Sequence, residues 1–231
     1  MARSRRHFLW LAGAAALMSG TATHFLRQRA TRLETVPIKG LPGYFYLEAG
    51  PSTGGLPDPF FGLDGPRETA GSTEGLFERP PAPGLVPVAC FSDYNCAYCR
   101  VLTKMLVEIP GIDITWHELP LLGESSVTGA RAALAARMQD AYWPMHTRLM
   151  RSGFRINEAY LRQVTRDLGL DSDRLLRDME SPEVDAALAL SARLAALFGI
   201  YGTPALVVRR VLVLGNINRT DLTSLVEMEH G

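Results

Sequence analysis

Two cysteines separated by two residues are the part of this sequence most able to do chemistry. They form the segment Cys96-Ala97-Tyr98-Cys99. A thiol pair at this spacing either closes a reversible disulfide or supplies half of a zinc site. In one turn of helix the two Cα atoms lie about 5–6 Å apart, within the range of an unstrained disulfide. The spacing therefore favours thiol–disulfide exchange, in which one cysteine attacks and the other resolves the mixed disulfide.

A metal site is the main alternative interpretation of the cysteine pair. A structural zinc site normally needs a second pair of ligands. Downstream of residue 32 the candidates are Cys90, His117, His146 and His230, and none forms a spaced pair with another. We therefore expect no metal and no cofactor, and a copper- or zinc-binding CxxC protein stays as the alternative of a different class. Cys90 lies in an apolar segment and is expected to be a small buried side chain.

The flanking sequence places Cys96 where a strand passes into a helix. Residues 85–91 are apolar and β-compatible, residues 92–95 are polar and turn-forming, and apolar residues then recur at helical spacing as far as Pro110-Gly111. The unpaired N–H groups and the dipole of a helix N-terminus favour an anion. We therefore expect the pKa of the Cys96 thiol to lie below the usual value of about 8.5.

The two cysteines consequently receive different predicted roles. Cys96, at the exposed end of the helix, is the predicted nucleophile, and Cys99, one turn inward, is the predicted resolving cysteine. Arg100 and Lys104 are nearby cations that could favour the thiolate further. Three other polar residues, His117, Glu118 and His146, have no assigned role and are expected to be structural or exposed.

Beyond this unit the pattern predicts an α/β fold that contains a long helical block. Residues 112–119 alternate as a strand, residues 205–208 and 211–214 read as a hairpin turning at Arg209-Arg210, and a final helix is capped by Thr220 and runs to about Glu229. Five helices are predicted between these strands. They run from Ser125-Ser126 to Met138, from Tyr142 to Met150, from Asn157 to Gly169, over a short segment that starts at Asp171, and from Ser181-Pro182 to Gly199.

Several segments in this order resemble the DsbA-like branch of the thioredoxin superfamily, from about Val86 to Glu229. They are Phe91-Ser92-Asp93-Tyr94-Asn95-Cys96-Ala97-Tyr98-Cys99, Leu119-Pro120-Leu121-Leu122-Gly123 with Ser126, Ala141-Tyr142-Trp143-Pro144-Met145-His146, and Gly199-Ile200-Tyr201-Gly202-Thr203-Pro204-Ala205. The resemblance implies a thioredoxin-like fold with an inserted helical subdomain at about 121–182, and protein thiol–disulfide oxidoreductase activity. It also implies that Pro204 is cis and packs beside Cys96.

The resemblance further implies how substrates are held. Thr203 offers its main-chain groups to an extended substrate segment, in the manner of strand addition, and Ala97 and Tyr98 complete the substrate-binding surface with Pro204. The implied partners are cysteine-containing protein substrates and a membrane redox partner that resets the Cys96–Cys99 disulfide.

The residues between the cysteines depart from the strongly oxidising members of that family. Those members carry Pro-His where this chain has Ala97-Tyr98, and a histidine cation would stabilise the thiolate. Cys-x-Tyr-Cys instead resembles the disulfide isomerases, which are dimers built on an extra N-terminal domain. We expect disulfide formation in periplasmic substrates, with a reductase or isomerase as the alternative. A glutathione-transferase-like enzyme is disfavoured by the export signal described next.

Residues 1–32 predict export rather than a fold element. They hold six arginines and no acid, an apolar run at 11–18 and small residues at 20–22, which is typical of a signal peptide. The pair Arg5-Arg6, with Phe8-Leu9 after it, resembles a twin-arginine signal. We therefore expect a periplasmic protein, cleaved near Ala22, or an inner-membrane tether if the signal is retained. The rest of the chain is mildly acidic, which disfavours nucleic-acid binding.

An irregular arm is expected to join the signal to the exchange domain. Of the 45 residues from 40 to 84, 18 are glycine or proline, a density that disfavours regular helix or sheet. Apolar clusters at 44–47, 60–61 and 76–77 predict that this arm docks on the domain, and a disordered spacer is the alternative. The expected division is thus 1–32 signal or anchor, 33–84 arm, and 85–231 DsbA-like domain.

Overall fold

The computed structural model describes residues 33–54, 71–153 and 155–228, and in these residues six strands form one mixed sheet. Their order across the sheet is β1-β2-β6-β5-β3-β4. The strands are β1 (Val36–Pro37), β2 (Phe45–Glu48), β3 (Val86–Ser92), β4 (Ile112–Glu118), β5 (Ala205–Val208) and β6 (Val211–Leu214). β3 runs parallel to β4 and antiparallel to β5, while β5 and β6 form the predicted antiparallel hairpin. Nearly every residue of β3 and β5 is buried, because both faces of these central strands are covered.

The described residues contain seven helices. They are α1 (Ala97–Leu106), α2 (Glu124–Arg137), α3 (Tyr142–Met150), α4 (Glu158–Leu168), α5 (Ser172–Asp178), α6 (Pro182–Phe198) and α7 (Arg219–Glu227). Asn157, Asp171 and Ser181 cap α4, α5 and α6 as predicted, since each side chain accepts a hydrogen bond from a backbone N–H of the first turn. Gly169 and Gly199 end α4 and α6 in the left-handed conformation.

Two helix starts differ from the prediction. The last helix begins after Asn218, whose side chain caps it, rather than at Thr220. α2 begins after Gly123 without a side-chain cap, because the hydroxyl of Ser126 hydrogen-bonds to Asp93 and that of Ser125 accepts from the N–H of Ile156. Both serines therefore join α2 to neighbouring segments instead of closing its first turn. The predicted end of α7 near Glu229 lies outside the described residues.

Two of the apolar clusters formed by the described residues position the site. One joins the sheet to α6 and includes Phe91, Val207 and Phe198. The other is formed with the helical block α2–α5 between β4 and α6, and it includes both Cys96 and Cys99. The helical block thus packs directly against the inner side of the cysteine pair, and the mixed α/β architecture with a helical insertion is as expected.

The Gly- and Pro-rich stretch before β3 contributes to the sheet. Strand β2 lies in it, which corrects the expectation that its composition prevents regular sheet, and β1 lies just before it. β2 pairs in parallel with β6, and Leu76 is 1% exposed in the sheet core. Gly40 and Gly43 take left-handed conformations between β1 and β2, so glycine makes a turn there rather than preventing pairing.

The segment 60–61 and the predicted signal at 1–32 lie outside the described residues. Among the residues described, no helix has both the length and the apolar character needed to cross a membrane.

Candidate active site

Cys96 is the N-cap residue of α1, directly after the turn that follows β3. Its φ and ψ are −77° and 117°, and its Sγ accepts a hydrogen bond from the N–H of Cys99 at 3.2 Å. The N–H of Cys96 donates to the carbonyl of Asp93 at 3.1 Å, which closes the turn. The strand, turn and helix therefore bring the sulfur to the unpaired N–H groups of the helix end, as the sequence pattern predicts. Arg100 donates instead to the carbonyl of Tyr94 at 3.1 Å.

The two thiols have opposite pKa shifts. The hydrogen bond from the Cys99 thiol is the main cause that lowers the pKa of Cys96 to about 6, with hydrogen bonds involving Thr53 and Thr203 adding to it against the effect of burial. Burial raises the pKa of Cys99, and the neighbouring Cys96 raises it further. The sequence argument anticipated the lowered pKa of Cys96 but ascribed it to the helix end and to the nearby cations Arg100 and Lys104, neither of which is among its main causes.

Thr203 and Pro204 meet Cys96 from the other side. Their peptide bond is cis, and the Sγ of Cys96 lies 3.3 Å from the carbonyl oxygen of Thr203, 107 residues along the chain. Ala97 is exposed and Tyr98 is partly exposed beside them. The predicted site residues Cys96, Cys99, Thr203 and Pro204 thus lie around one sulfur, with the two intervening residues at its margin.

Cys96 is buried, which differs from the expected exposed helix end. Its side chain is 0% exposed, and the hydroxyl of Thr53 donates to its Sγ at 2.7 Å. Thr53 also forms an antiparallel bridge with Thr203. Sequence reasoning missed this residue because Thr53 stands among glycines and prolines with no motif around it.

Asp93 is a second site residue that the sequence did not single out by itself. Its carboxylate is 1% exposed and accepts from Ser126 and from the N–H groups of Asn95, Leu121 and Leu122, at 2.6, 2.7, 2.7 and 3.0 Å. Four donors satisfy a buried carboxylate. Asp93 therefore fixes the turn before Cys96 to the start of the helical block.

A buried polar cluster lies behind that turn. Glu118 accepts hydrogen bonds from the hydroxyls of Tyr94 and Tyr142, both at 2.7 Å, and the Nδ1 of His146 lies 2.9 Å from the Tyr94 hydroxyl. Burial raises the pKa of both tyrosines, and the nearby Glu118 raises it further. Glu118 and His146 are 1% and 0% exposed, so they are structural residues rather than surface ones.

Two other candidates from the sequence are also buried. His117 stacks on Phe91 with ring centroids 4.6 Å apart and donates through Nε2 to the carbonyl of Leu76 at 3.0 Å. Burial lowers its pKa. Cys90 is 1% exposed in β3, and burial raises the pKa of its thiol. In the described part of the chain, no group of three or more His, Cys, Asp or Glu side chains could hold a metal ion.

Comparison with known proteins places this arrangement among thioredoxin-like domains. The family model described as DSBA-like thioredoxin domain matches residues 87–227, more than half of the chain. A solved thioredoxin-like oxidoreductase from Silicibacter pomeroyi DSS-3 is 40% identical, with a TM-score of 0.62, over 68% of this chain and 96% of its own. A periplasmic thioredoxin-like protein from Salmonella enterica serovar Typhimurium is 27% identical, with a TM-score of 0.53, over 64% of this chain and 86% of its own.

Curated relatives of a different kind match a similar share of this chain. The Na(+)/H(+) antiporter NhaA 3 of Salinispora tropica is 27% identical over 156 residues, which are 60% of this chain and 24% of the antiporter. The chain therefore spans about a quarter of the length of the curated relatives it matches.

Proposed function

The chain belongs to the family of DSBA-like thioredoxin domains, and from that membership we propose that it exchanges a Cys96–Cys99 disulfide with the thiols of protein substrates. The family assignment also confirms the predicted thioredoxin-like α/β fold with an inserted helical subdomain. The observation that carries the proposal is the contrast between the two thiols. The pKa of Cys96 is lowered to about 6 while that of the buried Cys99 is raised, so one sulfur is a stable thiolate and the other is held as a thiol.

Oxidation of a substrate then proceeds in two balanced steps. A substrate thiolate attacks the Sγ of Cys96 in the oxidised protein, forming a mixed disulfide and releasing the sulfur of Cys99, which takes a proton. A second substrate thiolate attacks the substrate sulfur of that mixed disulfide, closing the substrate disulfide and releasing Cys96 as a thiolate. Two electrons pass from the substrate thiols to the cysteine pair. A leaving thiolate with a low pKa departs faster, which suits Cys96 to this step.

Substrates are held at the edge formed by Thr203 and Pro204. The main-chain groups of Thr203 would pair with an extended substrate segment, as in strand addition, and Ala97 and Tyr98 would contact the flanking residues. A cysteine-containing, locally unfolded segment fits this mode because it offers both free backbone groups and a reachable sulfur.

The direction that we propose is disulfide formation. Interactions that stabilise the Cys96 thiolate stabilise the reduced protein, and a stabilised reduced form makes the disulfide a better oxidant. Tyr98 supplies no cation that would stabilise the thiolate further. The alternative is therefore a reductase or isomerase of the same fold. Oxidation of many substrates requires a partner that accepts two electrons from the reduced pair, for which we propose a membrane redox partner.

The proposed location is the periplasm. It rests on the signal-like residues 1–32 and on the likeness to the periplasmic protein from Salmonella. In this proposal residues 33–84 form the arm, residues 85–231 perform the exchange, and residues 121–182 are the helical insertion.

Trapping the mixed disulfide tests the proposed chemistry. Cys99→Ala, first converted at Cys96 to its mixed disulfide with glutathione, should accumulate a covalent complex with a reduced protein substrate, with release of one glutathione thiol. Dithiothreitol should reverse the complex, and Cys96→Ala treated in the same way should form none. Cys90→Ala is the matched control and should behave as wild type, because Cys90 is buried in β3. The proposal fails if wild-type thiols never form a reversible disulfide, and a metal bound at one per chain would then favour the CxxC metal-binding alternative.

The reduction potential of the pair tests the direction. Equilibration with glutathione buffers should give a potential above that of the periplasmic substrates' disulfides if the protein is an oxidant. A potential in the range of cytosolic reductants, near about −270 mV, would instead support the reductase alternative.

A further inference from the structure

Thr53 already occupies the backbone groups that a substrate would need. Its N–H donates to the carbonyl of Thr203 at 2.7 Å, and its own carbonyl accepts from the N–H of Thr203 at 2.8 Å. These two bonds form an antiparallel bridge. An extended peptide adding to this edge would pair with the same N–H and C=O groups of Thr203. Thr53 and a substrate residue therefore cannot both be bound there.

The side chain of Thr53 takes the place of an incoming sulfur as well. Its Oγ1 donates to the Sγ of Cys96 at 2.7 Å, and Cys96 is 0% exposed. Disulfide exchange needs a sulfur to reach bonding distance of the Cys96 Sγ. A threonine hydroxyl forms a hydrogen bond but no covalent bond with sulfur, so Thr53 stabilises the thiolate without reacting with it.

The segment around Thr53 is closely fitted to its position. The N–H of Asn216 donates to the carbonyl of Pro51 at 3.0 Å. A Cβ at Gly54 would lie 2.9 Å from the carbonyl oxygen of Tyr201, and one at Gly50 would lie 2.4 Å from the carbonyl oxygen of Asn216. Glycine at both positions is what allows the backbones to approach. The preceding strand β2 anchors the segment by its pairing with β6.

We propose that residues 51–54 are an intramolecular occupant of the substrate groove, with Thr53 in the place of the substrate residue that pairs with Thr203. This inference rests on the proposed function and adds its regulation. Substrate binds after the 51–54 segment leaves. The apparent affinity for substrate is therefore the affinity of the free groove multiplied by the fraction of molecules in which the groove is free. Segments that make strong backbone pairing at Thr203 displace the occupant, whereas folded surfaces with no free strand do not.

Adding one methyl group at Gly54 tests whether the segment competes with substrate. Gly54→Ala pushes the segment away from the carbonyl of Tyr201 and leaves every residue of the proposed exchange machinery in place. The KM for a cysteine-containing peptide should fall about tenfold, which is a change of about 1.4 kcal/mol. Gly153→Ala is the matched control, because a Cβ there meets nothing within 4 Å, and its KM should stay at the wild-type value.

A proximity test gives a readout that does not depend on catalysis. In a Cys99→Ala background, Thr53→Cys places a thiol beside Cys96, and oxidised glutathione should close a disulfide between positions 53 and 96 with release of two glutathione thiols. Ser52→Cys is the matched control and should close none, because strand geometry points neighbouring side chains to opposite faces.

The outcomes separate the two proposals. If wild type exchanges disulfides but Gly54→Ala leaves KM unchanged or raises it, the occupant proposal is overturned. A failure of Thr53→Cys to form the disulfide overturns it as well, even if Gly54→Ala proves unable to fold. If neither wild type nor any variant exchanges disulfides while the 53–96 disulfide does form, the proposed function fails and the contact of the segment stands.

Discussion

Cys96 and Cys99 lie one helical turn apart yet have opposite pKa shifts, and single hydrogen bonds account for the difference. The sulfur of Cys96 is stabilised as an anion chiefly by the Cys99 thiol and then by the hydroxyl of Thr53, whereas Cys99 is enclosed by the apolar core of the helical block. Hydrogen bonds to a charged form favour it and burial disfavours it, and at Cys99 burial outweighs the hydrogen bonds. The proposed division into nucleophile and resolving cysteine therefore depends on individual donors, which point variants can remove.

Alkylation of Cys96 should follow a titration with a midpoint near pH 6, because its pKa is lowered to about 6. Cys99→Ala should raise this midpoint most, since the Cys99 thiol is the largest cause of the shift, and Thr53→Val should raise it by less. Rates of iodoacetamide reaction against pH, with thiolate absorbance at 240 nm, measure it. Thr53→Ser keeps the hydroxyl and should retain the wild-type midpoint; an equal rise for Ser and Val would contradict the hydrogen-bond explanation.

The Glu118 cluster makes a second prediction for single residues. Tyr94→Phe or Tyr142→Phe removes one of two donors to a buried carboxylate oxygen, and an under-satisfied buried group costs about 1–3 kcal/mol. Urea unfolding should show a loss of that size for each variant. Tyr201→Phe is the control, because Tyr201 is half exposed, and it should change the free energy of unfolding by less than about 0.5 kcal/mol. Losses below that value for the buried tyrosines would exclude a structural role for the cluster.

At the scale of elements, local signals predicted most of the helices and central strands. Asn157, Asp171 and Ser181 precede helices and cap them, because a cap acts within one turn and is readable locally. The predicted start of α2 was wrong because the hydroxyl of Ser126 donates to Asp93, 33 residues away, and does not cap the first turn of the helix. A side chain with a distant partner gives no local sign of it.

The site was predictable to the same extent. The CxxC pair and the Thr203-Pro204 segment, which lie together in the structure, were predicted from their own motifs and from the family resemblance. Thr53 was not, because its contact with Cys96 spans 43 residues and depends on the pairing of β2 with β6. Edge pairing of a four-residue strand is set by tertiary packing and is weakly encoded in local sequence.

Gly129 in α2 makes a prediction at the element scale. Changing an exposed glycine in a helix interior to alanine ordinarily stabilises a protein by about 1 kcal/mol. Here the new Cβ would lie 2.9 Å from the Tyr94 ring and 2.8 Å from Ile156, and that ring is held by its hydroxyl in the Glu118 cluster. Gly129→Ala should therefore destabilise the protein, by about 1–3 kcal/mol for overpacking. Thermal and urea unfolding measure it, and stabilisation would show that α2 can move away from the Cys96 turn.

For the molecule as a whole, the lowered pKa of Cys96 couples folding to the redox state. The donors that stabilise the thiolate act only in the folded, reduced protein, because the oxidised protein has no thiolate at Cys96. When the disulfide closes, the protein therefore loses the stabilisation that these donors give to the folded, reduced form. By the same thermodynamic cycle, a reduced form that is more stable makes the disulfide more oxidising.

This coupling predicts how stability depends on pH. Between about pH 6 and the usual thiol value of about 8.5, Cys96 is a thiolate in the folded reduced protein and a thiol in the unfolded chain. The unfolded state then binds more protons, so the free energy of unfolding rises with pH across this window and falls as pH drops through 6. Cys99 and Cys90 stay protonated in the folded protein because their pKa values are raised, and the unfolded chain protonates them as well until pH approaches about 8.5. They therefore oppose the rise only near the upper end of the window. Urea unfolding of wild type in a phosphine reductant should show a steeper rise than that of Cys96→Ala in the same reductant or of the oxidised protein without reductant. His117 adds the same rise near pH 6 to all three, because burial lowers its pKa; an equal slope in all three would assign the whole rise to such other groups.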